Sequence, residues 1–306
     1  MDFNSGRESA HLILVAGATG QLGERITHYL LLKGAKVRAL IRKGSSNPRI
    51  QTLRENGVEV IEVDFNDPTA LIKAIAGASC VVSALSGLRE VIVDTQMRLL
   101  DATMKAGVPR FFPSDFSIDY TKLSPGSNRN LDLRREFNQY VDQSGVQATS
   151  VLNGMFADLL TGEAPLVVSG MKKVIYWGNA DQPLDFTTIE NTAEFTAAAA
   201  LDPSTPRYLR IAGEVATPRD IAIAASQAKG EKFGVFRVGG LGMLATMIKI
   251  ARTLFPQNKE TFPAWQGMQY MHNMFTGLPK MDSLDNNRFP GIQWTPLRNV
   301  LAQTNQ

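Results

Sequence analysis

Cysteine is almost missing from this chain: Cys80 stands alone among 306 residues. An intrachain disulfide is therefore excluded, and a reducing, cytoplasmic setting is the expectation. Cys80 opens the apolar run Cys80-Val81-Val82-Ser83-Ala84, where a buried, inert thiol is expected. Histidine is nearly as scarce. His11, His28 and His272 lie far apart and none falls in a ligand spacing, so no metal is expected. No apolar run reaches the roughly 18–20 residues that a membrane-spanning helix needs. Residues 241–254 are apolar but short, and Lys249 and Arg252 interrupt them, so they read as a helix packed on the core or on a partner. Residues 1–10 are polar and lack the apolar centre of a signal peptide. Neither sign of charge dominates: 32 basic against 29 acidic side chains leave +3, with no long block of like charge. That balance gives no electrostatic footprint for nucleic acid. The expected partner is a small-molecule substrate, with neither nucleic acid nor a membrane involved.

What is present reads as a folded α/β chain. Hydrophobic residues make up 44% and charged residues 20%, ordinary values for a globular protein. Short apolar runs at residues 11–16, 36–42, 58–64, 80–84, 110–112 and 147–152 predict six strands. Helical patterns at 21–33, 47–56, from 67, 90–106 and 131–143 fall between them, several closed by glycine. Strands alternating with helices predict a doubly wound parallel sheet. After Asn153 the rhythm changes. Short strands are expected at 166–168, 173–177 and 208–212, and helices at 189–200 and 218–229. The last 75 or so residues look helical, then irregular. The expected division is a nucleotide-binding domain over 10–153 and a smaller, partly interleaved substrate or lid region over 154–306.

Gly17-Ala18-Thr19-Gly20-Gln21-Leu22-Gly23 lies between the first strand and the first helix. A backbone bare of side chains can approach a pyrophosphate there, and the helix start offers unpaired N–H groups and a positive dipole end. The fold is thus expected to be Rossmann-type, with Gly17, Thr19, Gly20, Gln21, Leu22 and Gly23 cradling a dinucleotide. Cofactor choice is read at the end of the second strand. An NAD(H) site places an acid there for the ribose hydroxyls; this chain has Arg42-Lys43-Gly44-Ser45. Arg42 and Lys43 suit a 2′-phosphate, with Ser45 as a further donor, so NADP(H) is expected over NAD(H). Ligands gather at the carboxyl ends of strands in such sheets. That rule puts Asp64 and Phe65 beside the adenine, and Ala84, Leu85 and Ser86 under the ribose and nicotinamide.

The run Val15-Ala16-Gly17-Ala18-Thr19-Gly20-Gln21-Leu22-Gly23, Arg42, and Arg110-Phe111-Phe112-Pro113-Ser114-Asp115-Phe116 together carry a resemblance. So do Val151-Leu152-Asn153-Gly154-Met155-Phe156 and the segment from Asp185 to Ala193. As a set they resemble the NmrA-like and isoflavone-reductase-like, atypical branch of the short-chain dehydrogenase/reductase superfamily, over about residues 10–230. The resemblance implies an NADP(H)-binding domain, with Ser114, Asn153, Met155 and Phe156 at the cofactor. It also implies two outcomes. One is a reductase passing hydride to a small apolar acceptor: quinone-like, aromatic, enone or carbonyl. The other is a non-catalytic redox sensor with a regulatory protein partner.

The Tyr-x-x-x-Lys pair of ordinary short-chain dehydrogenases is absent, which disfavours a nucleotide-sugar epimerase. Isoflavone-reductase-like enzymes use a lysine on the helix before the sixth strand, and here that position falls near Arg134. Arginine does not deprotonate, but it binds an anion or polarises a carbonyl. Tyr120 and Lys122, just after the fifth strand, are the other candidate catalytic residues. Asp115 is expected to cap a turn or to pair with Arg134 or Arg135. The aromatic- and Met-rich stretch 262–275 fits the lid of an apolar pocket, plain core or a homodimer face.

Overall fold

A computed structural model of the chain describes residues 11–162 and 166–303. The expectation for residues 1–10 lies outside them. The first half alternates as anticipated: β1 (Leu12–Ala16), α1 (Gln21–Leu32), β2 (Lys36–Arg42), α2 (Arg49–Glu55), β3 (Glu59–Val63), α3 (Pro68–Ile75), β4 (Cys80–Ser83), α4 (Gln96–Lys105), β5 (Arg110–Phe112), α5 (Arg129–Gln143) and β6 (Gln147–Ala148). These six strands form one parallel sheet in the order β3-β2-β1-β4-β5-β6. The order reverses beside β1, so the carboxyl ends of β1 and β4 frame a crevice.

Period-two alternation sorts the strand residues to two faces. Ile13, Val15, Val37, Ala39, Cys80, Val82 and Phe112 bury against α1 and α2. Leu14, Ala16, Leu40, Val63, Val81 and Phe111 bury against α3, α4 and α5. The chain starts α3 with the expected device: Asp67 accepts the amides of Thr69 and Ala70, and Pro68 needs no donor at the first position.

Three expectations need correction. The helix expected over 90–106 begins as a π-helical turn, Glu90–Thr95, before α4 takes over. There Thr95 Oγ1 bonds the Glu90 carbonyl and Gln96 Nε2 the Ile92 carbonyl, both at 2.7 Å. Next, α5 starts at Arg129, because Asn128 caps it by accepting the amides of Asn130 and Leu131. Finally, the sixth strand hands over its pairing at Thr149. The amides of Gln147 and Thr149 donate to Pro109 and Phe111, whereas that of Ser150 donates to Arg207. Ser150–Leu152 is therefore a separate strand, β7, parallel to Tyr208–Arg210.

The rest of the chain supplies β8 (Met155–Phe156), β9 (Val167–Val168), β10 (Lys173–Trp177), β11 (Leu184–Thr187), α6 (Ile189–Leu201), β12 (Tyr208–Arg210), β13 (Glu214–Ala216), α7 (Pro218–Lys229), β14 (Gly234–Gly239), α8 (Leu241–Leu254), α9 (Ala264–Phe275) and α10 (Leu297–Ala302). α6 lies with α1 on one face of the main sheet: Ala193, Phe195, Ala197 and Ala200 share a core with Ile26 and Leu30. A separate apolar core joins β10, β11, α7, α8 and α9 to Tyr120, Leu131 and Leu152. β11 and α6 fall where the family resemblance implied a strand running into a helix, whereas β8, β13 and β14, all short or glycine-bounded, were not anticipated as strands. No helix among the described residues is long and apolar enough to cross a membrane.

Candidate dinucleotide and substrate site

The glycine loop does three different things with its three glycines. Gly17 has φ +88°, and a Cβ there would lie 2.6 Å from the Ala84 carbonyl oxygen, so it permits close approach to the end of β4. A Cβ on Gly23 would lie 2.1 Å from the Gly17 carbonyl oxygen, so only hydrogen fits where α1 crosses the turn. Gly20 donates its amide to Gly17 O at 2.9 Å and caps α1 without a side chain. Consequently the amides of Gln21, Leu22 and Gly23 meet no acceptor among the described residues. They open a 12-residue helix whose dipole favours an anion at this end. A diphosphate fits that cradle in charge and in room.

Cations gather on one side of the loop. Arg42 and Lys43 at the end of β2 are exposed, and neither forms an ion pair among the described residues. Arg49, the first residue of α2, reaches back to donate from Nη1 to the Thr19 carbonyl at 2.9 Å, with Nε 3.3 Å from Glu24. The sequence reading missed Arg49; a second basic side chain shortly after the strand end was the available signal. Ser45 is half-buried in the turn and accepts the Asn47 amide. Asp64 is occupied by its own turn, accepting from the amide and side chain of Asn66. Phe65 and Leu85 pack, half-buried, on the core beside them, and Ala84 continues the pairing of β4 through Ala16 O. Ser86 is exposed at the crevice.

Deeper in, two residues at strand ends differ in how free they are. Ser114 is a staple: its amide donates to Gln96 Oε1 at 2.9 Å and its Oγ to Leu85 O at 2.6 Å. Asn153, at the end of β7, is fully buried, and neither its Oδ1 nor its Nδ2 has a partner among the described residues. A buried carboxamide with both ends open is rare and calls for a complementary group. Met155 and Phe156 follow in β8, held to Phe186 and Thr187. Gly154 makes that path possible: with φ +68°, its Cβ would fall 2.3 Å from the Asp185 carbonyl oxygen.

The three candidate catalytic side chains are held by different partners. Tyr120 is buried; its hydroxyl donates to Asp115 Oδ2 at 3.1 Å and accepts from Asn138 Nδ2 at 2.8 Å. Burial, then the Asp115 charge, holds its phenol well above the usual range. Lys122 tethers a distant loop, donating to Asp282 Oδ2 at 2.7 Å and Lys280 O at 2.6 Å. Arg134 points inward from α5, 9% exposed, and donates from Nη1 to Asn130 O at 3.0 Å.

Asp115 pairs with neither Arg134 nor Arg135, contrary to expectation. Its Oδ2 accepts from Ser150 Oγ at 2.6 Å, Asn138 Nδ2 at 2.7 Å and Tyr120, while Oδ1 has no donor among the described residues. Arg207 closes the network through Ser150, Asn138 and Asp142. Burial raises the Asp115 carboxyl, and the hydrogen bonds and the nearby Arg134 and Arg207 charges pull partly against it. Ser150, Asn138 and Arg207 were invisible in the sequence. Residues 264–275 of the expected lid form α9, which rests on the start of α5. Gln266 Nε2 donates to Asn128 Oδ1 at 2.6 Å, Gln269 Oε1 accepts the Arg129 amide at 3.2 Å, and Arg129 stacks on Trp265 at 4.6 Å.

Known proteins match this chain along most of its length. Pinoresinol reductase 1 of Arabidopsis thaliana is 29% identical over 215 residues, 66% of this chain and 68% of that one. A crystal structure of isoflavone reductase superposes with a TM-score of 0.82 at 22% identity, covering 96% of this chain and 99% of that one. The structure of AtPrR2 with NADP+ and (+)pinoresinol gives 0.80 at 23% identity, covering 96% and 98%. At those identities the two structures establish the shared Rossmann-type fold. The model of the NmrA-like family matches residues 9–284, and the chain belongs to that family.

Proposed function

We propose that this protein is an NADP(H)-dependent reductase that passes hydride to a small apolar acceptor of aromatic, quinone-like, enone or carbonyl type. The observation that carries the reading is the glycine loop. Three amides without a partner among the described residues lie at the mouth of α1, flanked by Arg42, Lys43 and Arg49, with no acid at the end of β2. Relatives with reductase names and a neighbour solved with NADP+ support it. In this reading the loop amides hold the pyrophosphate, Arg42 and Arg49 hold the 2′-phosphate, and Phe65 flanks the adenine. The open carboxamide of Asn153 meets that of the nicotinamide, with Met155 and Phe156 beside the ring. The bound cofactor supplies the hydride. The chain's part is to bind and to orient. Residues 10–153 then carry the nucleotide, and residues 154–306 carry most of the acceptor's surroundings. NADPH oxidation followed at equal protein concentration across quinones, enones and aromatic carbonyls tests this; turnover above background with at least one acceptor is expected.

One observation favours a second reading. Tyr120 is locked in a buried network, Lys122 is tethered, and Arg134 does not give up a proton at neutral pH. A protein that senses the ratio of NADPH to NADP+ through a regulatory partner needs no proton donor. NADPH binding without turnover of any acceptor would select it.

A further inference from the structure

Cations cluster around α5, and among the described residues most find acceptors for their head groups. Arg129 donates to the carbonyls of Glu260 and Thr261 and stacks on Trp265. Arg135 donates to the carbonyls of Tyr120 and Leu123. Arg207 pairs with Asp142 at 2.8 Å and donates to Ser150 and Asn138. Arg134 is different. It is nine-tenths buried, its Nε has no partner among the described residues, and its side chain bonds there only to a carbonyl of its own helix, that of Asn130. No carboxylate forms an ion pair with it among the described residues. On α5 it stands one turn from Asn138, which donates to Asp115 at the end of β5, and one turn from Asn130, which donates to the Thr261 carbonyl just before α9. The residue thus stands on the stretch of α5 that joins the end of β5 to the start of α9. No hydrogen bond or ion pair joins it to Asp115 among the described residues, although Asp115 Oδ1 is open and only Oδ2 is taken, by three other donors.

Burying a guanidinium donor such as this Nε without an acceptor is costly. A planar guanidinium so placed matches a carboxylate that can take two parallel bonds. We infer that Arg134 is a specificity-determining residue that selects an acceptor bearing a carboxylate on its apolar frame. The inference rests on the reductase reading and narrows it: the substrate is an aromatic or enone acid, not a neutral aromatic. Arg134 holds the acid group, which fixes the apolar part against the nicotinamide face, and bulk water supplies the proton.

The test compares an isosteric pair, trans-cinnamate and cinnamamide, by calorimetric titration into the NADP+-saturated protein. A parallel titration of NADPH into the free protein checks the cofactor site. Cinnamate is expected to bind roughly 10- to 100-fold more tightly than cinnamamide, the range of one charge-assisted pair. Arg134→Met should erase the preference, Arg134→Lys should keep part of it, and neither should change NADPH affinity. Equal affinity for the pair in the wild-type protein, including no binding of either, overturns the inference; it would mean that Asp115 answers the Arg134 charge internally. A preference that survives Arg134→Met overturns it as well. Should Arg134→Met fail to fold, the wild-type pair and Arg134→Lys decide. Failure of NADPH to bind the wild-type protein is a separate result and defeats the reductase reading itself.

Discussion

Removing charge at the end of β2 should separate the two nicotinamide nucleotides. Arg42 is exposed and bonded to nothing through its side chain among the described residues, so Arg42→Ala leaves the fold intact and removes one partner of a 2′-phosphate. A hydrogen bond to a charged group contributes about 1.5–3 kcal/mol. At about 1.4 kcal/mol per decade, NADPH affinity should fall roughly 10- to 150-fold while NADH affinity barely moves. Arg49→Ala should behave differently. Arg49 also holds the Thr19 carbonyl, so its loss loosens the glycine turn and weakens both nucleotides, NADPH more. Both sites are partly in water, so the Arg42 effect should shrink as salt rises. Calorimetric titration of NADPH and NADH into wild type, each variant and the double variant gives all the affinities. If Arg42→Ala weakens NADH as much as NADPH, the guanidinium does not touch the phosphate and the account of cofactor choice is refuted.

Other outcomes follow from particular contacts. Gly23→Ala should abolish nucleotide binding or unfold the loop, whereas Gly20→Ala should be milder, because its Cβ would meet the Gly17 carbonyl oxygen at 3.3 Å against 2.1 Å; calorimetry and thermal melts distinguish them. Cys80 is fully buried and its thiol is pushed up to about 12 by desolvation, so a thiol reagent at neutral pH should label it only as the chain unfolds, at the rate of global opening. Asp115 has a carboxyl raised by burial, so its contribution to stability is present below the ordinary carboxylate range and is lost as pH rises through the folded value. Melting temperature should therefore fall less between pH 4 and pH 7, roughly the window above a free carboxylate, in Asp115→Asn than in wild type.

What could be read from residue order was what is local. The glycine loop, Asp67-Pro68 at the start of α3, and β10, α7 and α8 to the residue all rest on neighbours within a turn or a strand. The site's deeper parts rest on partners far apart. Asp115 meets Ser150 across 35 positions and Asn138 meets Arg207 across 69, and no periodicity announces such pairs. The early start of α5 was hidden because Arg129 and Asn130 are polar, although Asn128 was a readable cap. The handover at Thr149 was hidden because a β-branched residue continues the strand pattern; only its bonds to Thr205 and Pro206 show why the chain changes partner there. The Arg134 position needed the family pattern to notice and the structure to show that its charge is unanswered.

The placement of α6 over α1 has a consequence for biosynthesis. Until residues 189–201 have left the ribosome, the side of the sheet that carries Val15, Val82 and Phe112 lacks part of its cover. The emerging amino-terminal half must wait with greasy surface showing, a state prone to sticking to its neighbours. Chaperone engagement during synthesis should persist until the helix bearing Phe195 arrives and end soon after.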